Sequence, residues 1–274
     1  MAACTLSRGA DRPPAVAGSF YPADAAALRQ QVREYLREAR ERPSGSAAAS
    51  PRPIRALLVP HAGTVYSGPV AGSAFASLAE TPTRVVLVGP AHRVAFRGVS
   101  AGDFARYLTP LGALPVDREA IARLQAQGLV TCVPAAHAAE HSLELMLPFV
   151  LECLGALPIV PLLVGDAAPE AIDAALEALL RPGDLLLISS DLSHYLPYER
   201  ARDRDRRSLD AVLEGRWSAL GPYEACGHAG LGAAMRLASR RGWQARLLDY
   251  RNSGDTAGGR DRVVGYGAVA FCEP

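Results

Sequence analysis

Three of the six histidines, His61, His92 and His194, stand just beyond strongly apolar runs. His61 follows Ala56 to Val59 and Pro60 in RALLVPHAGTVYSG, and His92 follows Val85 to Val88, Gly89 and Pro90 in RVVLVGPAHR. His194 follows DLLLISS, residues 184–190, and Asp191. Short apolar runs closed by Pro, Gly or Ser read as buried parallel strands. Residues in the loops after such strands gather at the carboxyl edge of the sheet, where α/β proteins bind ligands. Neutral imidazole is the commonest protein metal ligand and is suited to proton transfer near pH 7, so three at one rim predict a shared metal or acid/base site. Two histidines and a carboxylate can hold Fe(II) with positions left open. Asp191, Asp255 and Glu140 are the carboxylates in loops within reach, and the residues alone leave the third ligand undecided. Asp191, three residues before His194, is placed to orient that imidazole or to share the site. His137 and His228 read as structural.

The elements that must position these groups alternate. Asp24 is an N-cap ahead of Leu28, Val32, Tyr35 and Leu36, one face of an amphipathic helix. Ser67, Gly68 and Pro69 suggest a helix start after the first histidine strand. Residues 97–117 read as short edge strands or a hairpin around Thr109 to Gly112, and Asp117 caps a helix running to Gln127. The stretch EHSLELMLPFVLEC, 140–153, has helical spacing broken by Pro148. Strands are expected at 158–164, 184–190, 243–250 and 263–271, and helices at 169–181, 198–215 and from the glycine-rich turn at Gly227 to Arg240. This pattern predicts one α/β domain with a central, mainly parallel or mixed sheet flanked by helices. Residues 1–11 read as a loose leader ahead of a domain spanning 12–274. Within it, 42–53, rich in Pro, Ser, Ala and Gly, reads as a flexible loop.

With 29 basic and 28 acidic side chains, charge gives no argument for nucleic acid or an anionic membrane. No apolar stretch approaches the roughly 20 residues of a membrane span. Cys4, Cys132, Cys153, Cys226 and Cys272 contain no CxxC pair. Five free thiols in a cytoplasmic protein are expected, with Cys226 in the ACGH turn the one nearest the pocket.

Taken with RPPAVAGSFYP, LLVPHAGTVYSG, LVGPAH, TPLG, EHSLELMLPF, SSDLSHY, ACGH, NSGD and VGYGAVAF, the chain resembles the Memo family over nearly its whole length. Prokaryotic members of that family are labelled AmmeMemoRadiSam system protein B and resemble class III extradiol ring-cleaving dioxygenases. The resemblance implies a class III extradiol dioxygenase-like fold. It also implies a mononuclear non-haem site with His61 and His92 as metal ligands and His194, beside Asp191, as the acid/base. Glu140 and His141 of EHSLELMLPF join His194 and Asp191 as candidate catalytic residues. Asp255 or Thr256 stands in the NSGDT loop, where animal Memo has a ligating cysteine, so Asp255 is the expected third ligand. A hard carboxylate there favours Fe(II), with copper or zinc as alternatives. Thr64 and Met146 replace the Tyr and Gln common in the family. The expected activity is iron-dependent oxygenase-type or redox chemistry on a small molecule or peptide, with a radical SAM enzyme and an AMMECR-type protein as partners. The rival is a non-catalytic peptide- or metal-binding module, and a third reading is metal-assisted hydrolysis.

Overall fold

The computed structural model describes residues 9–42, 52–102 and 104–274. Most of the expected leader and of the expected loop at 42–53 lies outside the described residues. In chain order the elements are β1 (Asp11–Arg12), α1 (Ala25–Glu41), β2 (Ile54–Val59), α2 (Thr64–Ala76), β3 (Arg84–Pro90), β4 (Val99–Ala101), β5 (Arg106–Thr109) and β6 (Gly112–Pro115). There follow α3 (Arg118–Ala126), α4 (Pro134–Ala138), α5 (Leu147–Leu154), β7 (Ile159–Val164), α6 (Pro169–Leu179) and β8 (Asp184–Ser189). The chain closes with β9 (His194–Leu196), α7 (Tyr198–Leu213), α8 (His228–Arg241), β10 (Gln244–Asn252) and β11 (Val263–Cys272).

The main sheet runs β10-β11-β2-β8-β3-β7-β4, with β9 added to β11. Its centre, β2, β8, β3 and β7, is parallel, whereas β10, β11 and β4 join antiparallel. This is a single α/β domain with a mixed sheet flanked by helices. Consecutive residues along β2, β3, β7 and β8 are buried, which requires cover on both faces and accounts for their uninterrupted apolar sequences. A separate sheet, β1-β5-β6, brings the N-terminal segment against the hairpin around Thr109.

Local chemistry accounts for several boundaries. The Asp24 side chain caps α1 by accepting from the Ala27 N–H at 2.8 Å, and Leu28, Val32 and Leu36 face the core. Helix α2 begins at Thr64 rather than near Ser67 to Pro69, leaving Pro69 inside it. The earlier start is anchored from outside, because the Thr64 N–H donates to the Phe20 carbonyl at 2.7 Å. Pro148 interrupts its stretch as expected: a 3-10 turn over Glu144–Met146 gives way to α5 with the proline in its first turn, where a missing N–H does no harm. Cys132 is disulfide-bonded, correcting the expectation of five free thiols, while Cys153, Cys226 and Cys272 are in no disulfide.

Candidate metal centre

Because β2, β8 and β3 are adjacent and parallel, their carboxyl ends deliver His61, the Ser189–Asp191 turn and His92 side by side. The ring centroids of His61 and His92 lie 5.1 Å apart. His141, from the chain ahead of α5, completes a triangle at 4.9 Å from His92 and 5.6 Å from His61. These rings, with Asp191, His194 and Tyr266, line a cavity of about 660 Å³.

Each of the two strand-end imidazoles has its tautomer fixed from behind. The Ser189 hydroxyl donates to the Ser142 carbonyl at 2.5 Å, so its oxygen is left to accept from His61 Nδ1 at 2.7 Å. The proton of neutral His61 therefore sits on Nδ1, and Nε2 carries the lone pair. Burial lowers the His61 pKa to about 4, outweighing the pull of Asp191, so the ring is neutral at pH 7. His92 Nδ1 donates to Glu140 Oε1 at 2.9 Å, which again leaves Nε2 as the free donor atom. A carboxylate or hydroxyl behind a ring nitrogen is the usual support of a metal-binding histidine.

Glu140 serves as this support. Its Oε1 also accepts the N–H groups of His141 and Ser142, both at 2.9 Å, and its Oε2 accepts that of His92 at 2.5 Å. Burial pushes its carboxyl up, but the adjacent His141 ring, the His92 bond and the backbone N–H groups prevail and hold it far below the ordinary range. Glu140, expected among the catalytic residues, thus sits as a fixed anion behind the rings. A second buried pair stands behind it: Arg12 donates to the Glu140 carbonyl at 2.5 Å and to Glu144 at 2.7 Å. Glu144 in turn accepts from the N–H groups of Ala15 and Val16 and from Tyr21. The RPPAVAGSFYP segment is therefore fastened to the loop that carries Glu140 and His141. Its Phe20 ring meets His141 edge-on at 4.9 Å.

The other candidates fall in different places. Asp191 accepts the His61 N–H at 2.8 Å; it fixes the His61 backbone rather than the His194 ring. His194 Nδ1 donates to the Leu192 carbonyl at 2.8 Å, and its Nε2 is left for the cavity. His141 Nδ1 lies 3.2 Å from Glu140 Oε1 without the alignment of a hydrogen bond. Asp255, the expected third ligand, is not among the donor atoms grouped with the histidines. Its carboxylate accepts from the Tyr198 hydroxyl and, at 2.9 Å, from the Asn252 N–H, closing a capping box. Cys226 comes in instead, with Sγ 3.3 Å from His61 Nε2. Donor atoms of His61, His92 and Cys226 all lie within 4.8 Å of one another, as do those of His92, Glu140 and His141. Gly227 makes this approach geometrically feasible, since a Cβ there would stand 2.3 Å from the Ser189 carbonyl oxygen. Burial, then the charge of Asp191, pushes the Cys226 thiol up to about 12. Two imidazoles presenting Nε2, with a thiol and a carboxylate beside them, are a donor set that fits a transition metal.

Comparison with known proteins follows the same residues. A sequence profile described as Memo-like protein matches residues 12–270. The chain belongs to the Memo family. A MEMO1 family protein of Ignicoccus hospitalis is 37% identical over 96% of this chain and 99% of its own length. One from Archaeoglobus fulgidus is 35% identical, and one from Sulfolobus acidocaldarius 32% identical, each over 95% of this chain and 99% of its own. The Memo match begins at Arg12, the residue that fastens the N-terminal segment behind the histidines. Sequence reasoning found the three strand-end histidines but gave no part to Ser189 or Arg12. Their partners lie 128 residues away in each case, and no local pattern announces such contacts.

Proposed function

We propose that this Memo-family chain holds one transition-metal ion on Nε2 of His61 and His92 and uses it for oxygenase-type or redox chemistry on a small molecule or peptide in the cavity. The observation carrying this reading is the pair of tautomer locks, Ser189 behind His61 and Glu140 behind His92, which aim two lone pairs into one space. Asp191 lines the same cavity, and two histidines with a carboxylate suit Fe(II). When bound, iron supplies Lewis acidity and access to one-electron chemistry. The protein's own part is then to orient and to move protons. Glu140 and Ser189 hold the ligand rings, and His194, with Nδ1 committed to Leu192, takes or gives a proton at Nε2. Phe20, Tyr66 and Tyr266 line the same space and give it an aromatic wall.

A second reading has one observation in its favour. Cys226 Sγ stands 3.3 Å from His61 Nε2 and, among the described residues, joins His61 and His92 in a group of donor atoms that includes no carboxylate; a thiolate would select copper or zinc. No helix among the described residues is long and apolar enough to cross a membrane, and we place the reaction in the cytoplasm, with a radical SAM enzyme and an AMMECR-type protein as partners. Metal analysis of protein purified without oxygen, followed by oxygen uptake on adding candidate substrates, tests the proposal. Iron with uptake supports it. Copper or zinc bound through Cys226 favours the second reading, metal without uptake favours a binding module or hydrolysis, and protein that takes up no metal overturns both metal readings.

A further inference from the structure

One wall of the cavity has no task in the metal reading. Arg262, the residue ahead of β11, belongs to that wall, and its guanidinium lies 5.1 Å from the centroid of the Tyr195 ring. Among the described residues it makes no ion pair. The buried arginines Arg12 and Arg84 are each matched to carboxylates.

The backbone is arranged to put Arg262 and Tyr195 together. Strand β9 pairs antiparallel with β11, Leu196 opposite Val263 and His194 opposite Val264, with a register irregularity that leaves Tyr195 as the extra residue. A bulge of this kind re-aims a side chain. Tyr195 takes φ 58°, the only described non-glycine residue with positive φ. A non-glycine residue in the left-handed region is an outlier that tends to occur at functional sites. The residue is 62% exposed, with the guanidinium over one face of its ring. Two residues earlier the arrangement is repeated, with Arg260 4.5 Å from the Tyr198 centroid.

The charges in the cavity favour an anion at Arg262. The single acid in the lining, Asp191, has an oxygen committed to the His61 N–H. A guanidinium lying on an aromatic face keeps its N–H edge free, and that edge matches the paired oxygens of a carboxylate or phosphate.

We propose that Arg262 receives an oxyanion, a carboxylate or a phosphate, carried by a ligand whose flat apolar body lies among Phe20, Tyr66 and Tyr195. The proposal rests on the reading that the substrate occupies the cavity over His61 and His92, and it adds the acidic group as a requirement of that substrate.

Isothermal titration of the full, metal-loaded chain with benzoate, phenylphosphonate and neutral benzamide tests it. At least one oxyanion should bind more tightly than benzamide, and the tighter of the two tells carboxylate from phosphate. Arg262→Met should weaken that binding about tenfold or more, as expected for loss of a charged hydrogen bond, and Arg262→Lys should recover part of it. Fe(II) affinity should be the same in Arg262→Met as in the natural chain, which shows that fold and metal site are intact. Absence of oxyanion binding, equal binding of benzamide, or binding indifferent to Arg262→Met overturns the proposal. Oxyanion binding that survives Arg262→Met but disappears on chelation puts the anion on the metal, overturning this inference and leaving the metal reading in place. Binding that depends on Arg262 in a chain that takes up no Fe(II) supports the inference and overturns the metal reading.

Discussion

Strands β3 and β8 carry a buried polar cluster at each end, and the two clusters are built on opposite plans. At the amino end, Arg84 is clamped by Asp184 at 2.5 Å and Asp117 at 2.7 Å and donates to the Leu179 carbonyl at 2.9 Å. Every charge there is answered, and Asp117 and Asp184 also satisfy the N–H groups of Ala120 and Arg181. At the carboxyl end, joined by His61 from the neighbouring β2, His92 has one nitrogen answered and the other turned to a cavity, and His61 Nε2 meets only the weak thiol donor of Cys226 at 3.3 Å among the described residues. The first cluster is closed and serves structure. The second is held open at its donor atoms, as a site that must accept something else requires.

The difference can be broken from either end. Arg84→Met should destabilise the fold by about 3–5 kcal/mol, because it leaves Asp184 buried without its cation. Urea unfolding would measure this, and Fe(II) affinity of the folded fraction should be unchanged. A loss of metal binding in that variant would mean the two ends are not separable. Glu140→Gln acts on the other cluster. It keeps the shape but removes the fixed anion behind His92, so Fe(II) binding should weaken roughly 10–100-fold, read by anaerobic competition with a chelator of known affinity.

A smaller effect concerns pH. His137 is buried between the Tyr107 hydroxyl and Ser100, and burial, opposed in part by Ser100, lowers its pKa from 6.5 to about 3. The folded state then resists a proton that the unfolded chain accepts. The stability in question is complete above pH 6.5 and is lost as pH falls towards 3. His137→Asn should remove about 1.4 kcal/mol per pH unit from the slope of stability in that window. Parallel urea titrations at several pH values would show it, and an unchanged slope would remove His137 from the acid response.

How much of this was legible follows from the range of the interactions. The histidine strands declare themselves, since LLVPH and LVGPAH hold an apolar run, a breaker and an imidazole within a few residues, and the parallel sheet then aligns their ends. Asp117 and Asp24 as caps are equally local. The support of the rings is not: Glu140 reaches His92 across 48 residues and Ser189 reaches His61 across 128. Asp255 was the natural third ligand by position in the NSGDT loop, yet the short turn Ser253–Asp255 uses its carboxylate to close on its own backbone. That competition between local capping and a distant metal is decided by loop geometry, which sequence does not display. Cys226 was rightly expected near the pocket, because the glycine beside it permits close approach to the end of β8.

The central claim is that two locked imidazoles, and not the NSGDT loop, hold the metal. Anaerobic calorimetric titration with Fe(II) of the natural chain and of His61→Ala, His92→Ala and Asp255→Ala addresses it most directly. The natural chain should bind roughly one ion, with loss of either histidine weakening binding by more than the 10–100-fold expected of a supporting residue. Asp255→Ala should bind as the natural chain does. Metal binding that survives the loss of His61 and His92 but fails in Asp255→Ala would contradict the account.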